Sequence, residues 1–165
     1  GDARGGATYR LLYGIPVRGP GVGPPHCGKR EVEQTPVAAQ GRDAELVIQT
    51  RTGSHRFTVE LARTARQHAR GLMFRRRLAP DTGMLFLYRT SQPVTMWMKN
   101  TFGSLDMLFI AADGRILNIA RGTTPLSLAT IPSTGPVRGV LEIRAGTADR
   151  LGIKAGDMVQ YPIFQ

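Results

Sequence analysis

Met107-Leu108-Phe109-Ile110-Ala111-Ala112-Asp113-Gly114-Arg115-Ile116-Leu117-Asn118-Ile119-Ala120 sets the fold class. Two apolar runs too short for helices flank Asp113-Gly114, a dipeptide suited to the positive φ angles of a tight hairpin turn. The segment reads as two antiparallel strands. Outward from it the same pattern recurs. Leu46-Val47-Ile48 and Phe57-Thr58-Val59 alternate about Thr52-Gly53-Ser54, which predicts a second hairpin. Met84-Leu85-Phe86-Leu87-Tyr88 follows the turn Pro80-Asp81-Thr82-Gly83. Val94 to Met98, Val140-Leu141-Glu142-Ile143 and Met158-Val159-Gln160-Tyr161 bring the total to about eight short strands.

Two short helices interrupt them. Thr64, three residues before Gln67, makes a capping box, and Ala62, Ala65, Ala69 and Leu72 then share a face flanked by Arg63, Arg66 and Arg70. His68 falls on the polar side. Thr147 to Leu151 forms the second helix, stopped by Gly152. Short strands without βαβ alternation predict an α+β, mostly β fold: a small closed or half-closed, barrel-like sheet of about eight strands with two short helices.

Composition changes near residue 44. Residues 1–44 hold 9 Gly and 5 Pro, among them Gly19-Pro20-Gly21-Val22-Gly23-Pro24-Pro25, a stretch with no apolar face to offset the entropy of ordering it. They are expected to form a leader or linker, with one β-rich domain over 45–165. Hydrophobic content of 41% and charged content of 21% are ordinary for a globular chain of 165 residues. No apolar run approaches the roughly 20 residues needed to cross a bilayer. The chain begins at Gly1, which suggests a trimmed precursor or a tagged form and leaves room for a removed export signal. Cys27 is the only cysteine, so cysteine usage does not fix the redox compartment.

The formal charge of +10 raises the question of nucleic acid. Lys29, Lys99 and Lys154 are the only lysines, and arginine spread along a chain fits coding bias as well as binding. One cluster stands out, six arginines between 63 and 77, within an acid-free stretch from 61 to 80. Aromatic interleaving there is limited to Phe74, so base stacking has little support and a solvated helix flank is the preferred reading.

Catalytic templates are missing. His26, His55 and His68 have no Cys, Asp or Glu at metal-ligand spacing, and there is neither G-x-S-x-G nor a phosphate-cradling glycine loop. Asp106, Glu142 and Asp157 lie on separate elements, so paired carboxylates cannot be placed. The densest polar segment follows the sole tryptophan, in Met96-Trp97-Met98-Lys99-Asn100-Thr101 through Asp106. Lys99 supplies charge, Asn100 a donor and an acceptor, and Asp106 a carboxylate, a set suited to recognising a polar or anionic ligand. Met96 and Met98, one strand face apart from Trp97, could instead hold soft Cu(I), although gap-filling in a core is the plainer role for methionine. Leu151-Gly152-Ile153-Lys154-Ala155-Gly156-Asp157-Met158 is similar to an element of PDZ domains, which would imply peptide binding by strand addition; the same turn occurs in unrelated small barrels.

Four blocks carry a wider resemblance: Arg66 with Arg70-Gly71-Leu72-Met73-Phe74-Arg75, then Gly83-Met84-Leu85-Phe86, then Met96 through Asp106, then Val140-Leu141-Glu142 through Gly156-Asp157. Over residues 57–161 the chain resembles the prokaryotic domain-of-unknown-function family 192. Gly103-Ser104 departs from the apolar residue and proline usual there, which implies a changed local turn. The resemblance implies a small, mostly β fold, no assigned activity and frequent export, which fits the start at Gly1 and leads to the expectation of an exported, periplasmic protein. Gly71, Gly83 and Gly156 read as backbone requirements. Arg75, Trp97, Lys99, Asn100 and Asp106 are the residues folding explains least.

The resulting expectation is a non-enzymatic binding module for a small anionic or polar ligand or a protein partner, with its site at Arg75, Trp97, Lys99, Asn100 and Asp106. Neither cofactor nor metal is expected, and nucleic acid is disfavoured. The alternatives are a small enzyme using Lys99 or Asp106 as acid or base, and Cu(I) binding through Met96 and Met98.

Overall fold

The computed structural model describes residues 43–165. The elements are β1 Ala44–Thr50, β2 Gly53–Ala62, α1 Ala65–Arg70, β3 Thr82–Gln92, β4 Thr95–Met96, β5 Leu105–Ile110, β6 Ile116–Ala120, β7 Ile131–Pro132, β8 Val137–Arg144, α2 Thr147–Leu151 and β9 Met158–Gln160. Seven strands form one curled half-barrel sheet in the order β6-β5-β8-β3-β2-β1-β9, and β4 pairs with β7 in a separate two-stranded ribbon. The mostly β, α+β architecture with two short helices is therefore as the sequence predicts. Of the leader expected over 1–44, all but the last two residues lies outside the described residues, and Ala44 already opens β1.

Both hairpins form where turn chemistry placed them. Ala44 to Thr50 pairs with Gly53 to Val59, and β5 with β6 across Asp113-Gly114. Gly114 has φ 91°, and a Cβ there would lie 2.5 Å from the Val159 carbonyl oxygen, so the turn admits no side chain. That close approach joins the two ends of the curled sheet. Val159 N–H donates to Gly114 O at 2.8 Å, and Arg115 bridges Met158. The backbone of β9 is thus occupied on both sides, by β1 and by the 114–116 turn, which leaves no free β9 edge for the strand addition that the PDZ-like element suggested.

Two local expectations are corrected. β2 and β3 run parallel, Val59 opposite Gly83, with α1 in the crossover, so one βαβ unit is present. It is invisible to pattern reading because α1 spans only six residues. The strand expected over Val94 to Met98 is confined to Thr95–Met96; its partner Ile131–Pro132 has no strand signature in the sequence.

The central strands are covered on both faces. All six residues of β5 are buried, and their alternate side chains enter two different cores. Leu46, Ile48, Phe57, Leu85, Leu108, Leu141 and Ile143 fill the inside of the curl. On the opposite face Met84, Phe86, Met107, Phe109 and Val140 pack beneath Leu72, Val94 and Met98. Each such burial contributes about 1.5–3 kcal/mol. The candidate site opens in this second layer, between the sheet and the segments that cover it.

Candidate functional site

β8 reads Val140-Leu141-Glu142-Ile143, and period-two alternation sends Leu141 and Ile143 into the curl and Glu142 to the opposite, covered face. Across the neighbouring strands its partners are Met84 and Met107, so a carboxyl group stands among thioethers. Glu142 is 4% exposed, and burial pushes its pKa up to about 8. At neutral pH it is a carboxylic acid, able both to donate and to accept a hydrogen bond.

A cavity of about 370 Å³ opens over it. Tyr88, on β3, lines one side; burial and then the nearby Glu142 charge push its phenol up to about 12. Its hydroxyl points at Met96 Sδ, 3.9 Å away. The adjoining wall is α1, fixed by the expected capping box, with Thr64 accepting from the Gln67 backbone and Gln67 reaching back to the Thr64 backbone. His68 does not face solvent as helical phasing suggested. Its ring packs 4.7 Å from Tyr88 and 5.8 Å from Phe86, and Nε2 donates to the Ala62 carbonyl at 2.8 Å. Arg70 lines the rim with Trp97 and Lys99. Lys99 Nζ stands 5.1 Å from the centre of the half-exposed Trp97 ring, within cation–π range.

Of the five residues singled out by sequence, the structure brings only Trp97 and Lys99 together at this cavity. Arg75 turns to the far side of α1, where it pairs with Glu60 at 2.7 Å and lines a neighbouring hollow. Asn100 occupies a turn at φ 53°, a conformation asparagine tolerates, and its carbonyl accepts from Phe74 N–H at 2.8 Å. Asp106 is 1% exposed and bonded entirely to backbone: Oδ1 accepts from Gly122 at 2.9 Å and Oδ2 from Ala148 at 3.0 Å. The shared hollow expected for all five does not form. Ser104, at the departure from the family pattern, ties its turn by donating to the Thr123 carbonyl at 2.6 Å.

The Cu(I) reading is corrected by the same geometry. Met98 is wholly buried, its sulfur taken by the Thr123 hydroxyl at 3.2 Å, while Met96 faces the cavity. The chain leaves the strand after Met96, so the two thioethers no longer share a face. Among the described residues no cluster of three or more His, Cys, Asp and Glu side chains is placed to hold a metal ion.

Glu142, Tyr88 and His68 are the cavity residues that sequence reading passed over. One signal was available: a lone acid inside an otherwise apolar strand must be buried or paired. A larger hollow of about 920 Å³ carries Arg63, Arg89 and Arg138 but no carboxylate, and Arg138 is already engaged by the Tyr88 carbonyl at 2.8 Å. The cavity over Glu142 is the better candidate because it holds a buried group whose protonation is displaced.

The family model of domain-of-unknown-function family 192, DUF192 (uncharacterized ACR), matches residues 47–161. The chain belongs to the DUF192 family. This DUF192 domain is similar to two solved structures. One is a provisionally named transcription regulator from Sinorhizobium meliloti 1021, 47% identical, with 74% of this chain and 95% of that one covered and a TM-score of 0.72. The other is a protein of unknown function from Novosphingobium aromaticivorans DSM 12444, 41% identical, covering 76% of this chain and 89% of that one, TM-score 0.73. No curated protein matches it. Within the DUF192 domain, the glycines of the family blocks have physical reasons. A Cβ on Gly83 would collide with the carbonyl oxygen of Glu142, so the glycine lets β3 approach β8 beside the cavity floor.

Proposed function

We propose that this DUF192 domain is a binding module that holds a small anionic or polar molecule in the cavity over Glu142. The observation that carries the reading is the juxtaposition of a buried, protonated carboxyl group with two rim cations, Arg70 and Lys99, and two aromatic faces, Tyr88 and Trp97. Rim cations attract an anion, and a neutral acid beneath them donates a hydrogen bond where an ionised one would repel. The rings supply apolar contact and fix orientation.

Trp97 is the only tryptophan and reports directly on the cavity. Titration with mono- and dicarboxylates, inorganic phosphate and neutral sugars, followed by its emission, should give a saturable response to at least one. That response should weaken at least tenfold in Lys99→Ala and in Glu142→Ala. A linear, non-saturating response to every probe sinks the proposal.

A second reading is enzymatic, and one observation favours it. A carboxyl group with a pKa near 8 in a concave site is matched to proton transfer at neutral pH. This reading moves the acid–base role from Lys99 or Asp106 to Glu142. Mass spectrometry of a bound probe separates the two: recovery unchanged favours the module, and conversion lost in Glu142→Gln favours the enzyme.

A further inference from the structure

Three loops are laced together beside the cavity. Phe74 N–H donates to Asn100 O at 2.8 Å, Leu126 N–H to Thr101 O at 3.0 Å, and Met98 N–H to Ser127 O at 3.1 Å. The Phe74 and Phe102 rings meet edge-on at 6.2 Å. From these loops Phe74, Trp97, Phe102, Leu126 and Leu128 project with 46–64% of their surface in water, the five most exposed large apolar side chains among the described residues. Phe74 and Leu126 also sit at φ 65° and 64°, left-handed backbone that bulky residues seldom adopt. Holding strained loops so that apolar groups stay in solvent is what a binding surface requires and a folding argument alone does not.

The loops that bear these side chains carry charge of one sign. Residues 71–80, 93–105 and 121–141 contain no Asp or Glu. Arg75 and Arg121 are drawn to Glu60 and Asp149, while Arg76, Arg77 and Lys99 have no acidic partner among the described residues. Arg75, Arg76 and Arg77 line a small cleft with Thr101 and Gly103, against the loop that bears Phe102.

We propose that this loop cluster docks the domain on an anionic lipid surface, with Phe74, Phe102 and Leu126 entering the interface and Arg76, Arg77 and Lys99 meeting the headgroups. Exposed apolar side chains on loops that carry cations and no carboxylate of their own suit a soft, negatively charged interface. Trp97, 47% exposed beside these loops, is the residue type enriched at membrane–water interfaces.

Flotation of the full chain tests this. With vesicles of phosphatidylcholine and phosphatidylglycerol at about 7:3, it should float with the lipid and its Trp97 emission should shift to the blue. Phosphatidylcholine vesicles alone should carry at least tenfold less, and raising salt from about 50 to 500 mM should release the protein. The double variant Phe74→Asn/Phe102→Ser should lose tenfold or more, asparagine being suited to the backbone at 74. Arg76→Gln/Arg77→Gln should lose several-fold. None of these four residues lines the cavity over Glu142, so small-molecule binding there should be unchanged, and near-ultraviolet circular dichroism confirms the fold. Equal recovery on both vesicle types, or a double variant that floats like the parent, overturns the proposal. So does sedimentation showing that the patch drives self-association while vesicles leave Trp97 unaffected.

Discussion

Asp106 Oδ2 accepts the backbone N–H of Ala148 at 3.0 Å, so a carboxylate on β5 caps a helix 42 residues further along the chain. The helix needs it: its N-cap is Gly146, which has no side chain to offer. The second oxygen holds Gly122 N–H at 2.9 Å, fixing the loop that follows β6.

Asp106→Ala should therefore destabilise the domain by about 3 kcal/mol, since it deletes two hydrogen bonds to a charged group and strands a buried donor. Asp106→Asn should cost roughly half as much, because one acceptor oxygen remains. Urea denaturation measures both. A loss under about 0.5 kcal/mol in the alanine variant would remove Asp106 from the framework of the fold.

Glu142 gives stability a pH dependence of definite sign. Unfolded, it ionises above its ordinary value of 4.5; folded, it stays protonated to about 8. Between those values the unfolded chain binds fewer protons, so stability falls as pH rises, and the penalty levels off above pH 8. Glu142→Gln removes this term. The variant should match the parent near pH 4.5 and gain on it by roughly 1.4 kcal/mol per pH unit up to about 8. Parallel stability–pH curves for the two proteins would show that Glu142 is ionised in the fold.

Gly83→Ala should destabilise by about 2 kcal/mol, because the added methyl meets the Glu142 carbonyl and forces β3 away from β8. It should also disturb the Trp97 emission response to a cavity probe, since the strand it displaces forms the cavity floor. Unaltered stability would mean that the two strands part without cost.

Legibility in the sequence followed the range of the interactions concerned. The Asp113-Gly114 turn, the Thr64–Gln67 box and the Gly152 stop, which has φ 68°, are decided within a few residues, and each is found where its chemistry put it. Trp97 and Lys99, two residues apart in the candidate set, do meet, with Nζ 5.1 Å from the ring centre. Arg75 and Asp106 stood out as unexplained, and their partners, Glu60 and Ala148, lie on other elements that no local pattern connects to them. His68 was assigned to the wet side of α1 because helical phasing cannot register that β3 passes beside it with Phe86 and Tyr88.

By itself the sequence determined the kinds of element, their turns and the family, because backbone dihedral preference and period-two burial act over a few neighbouring residues. Tertiary structure alone decided that Glu142, Tyr88, His68 and Lys99 share one cavity. That meeting depends on strand order and on the register pairing Met84 with Glu142. A one-residue slip there would turn the carboxyl into the opposite core.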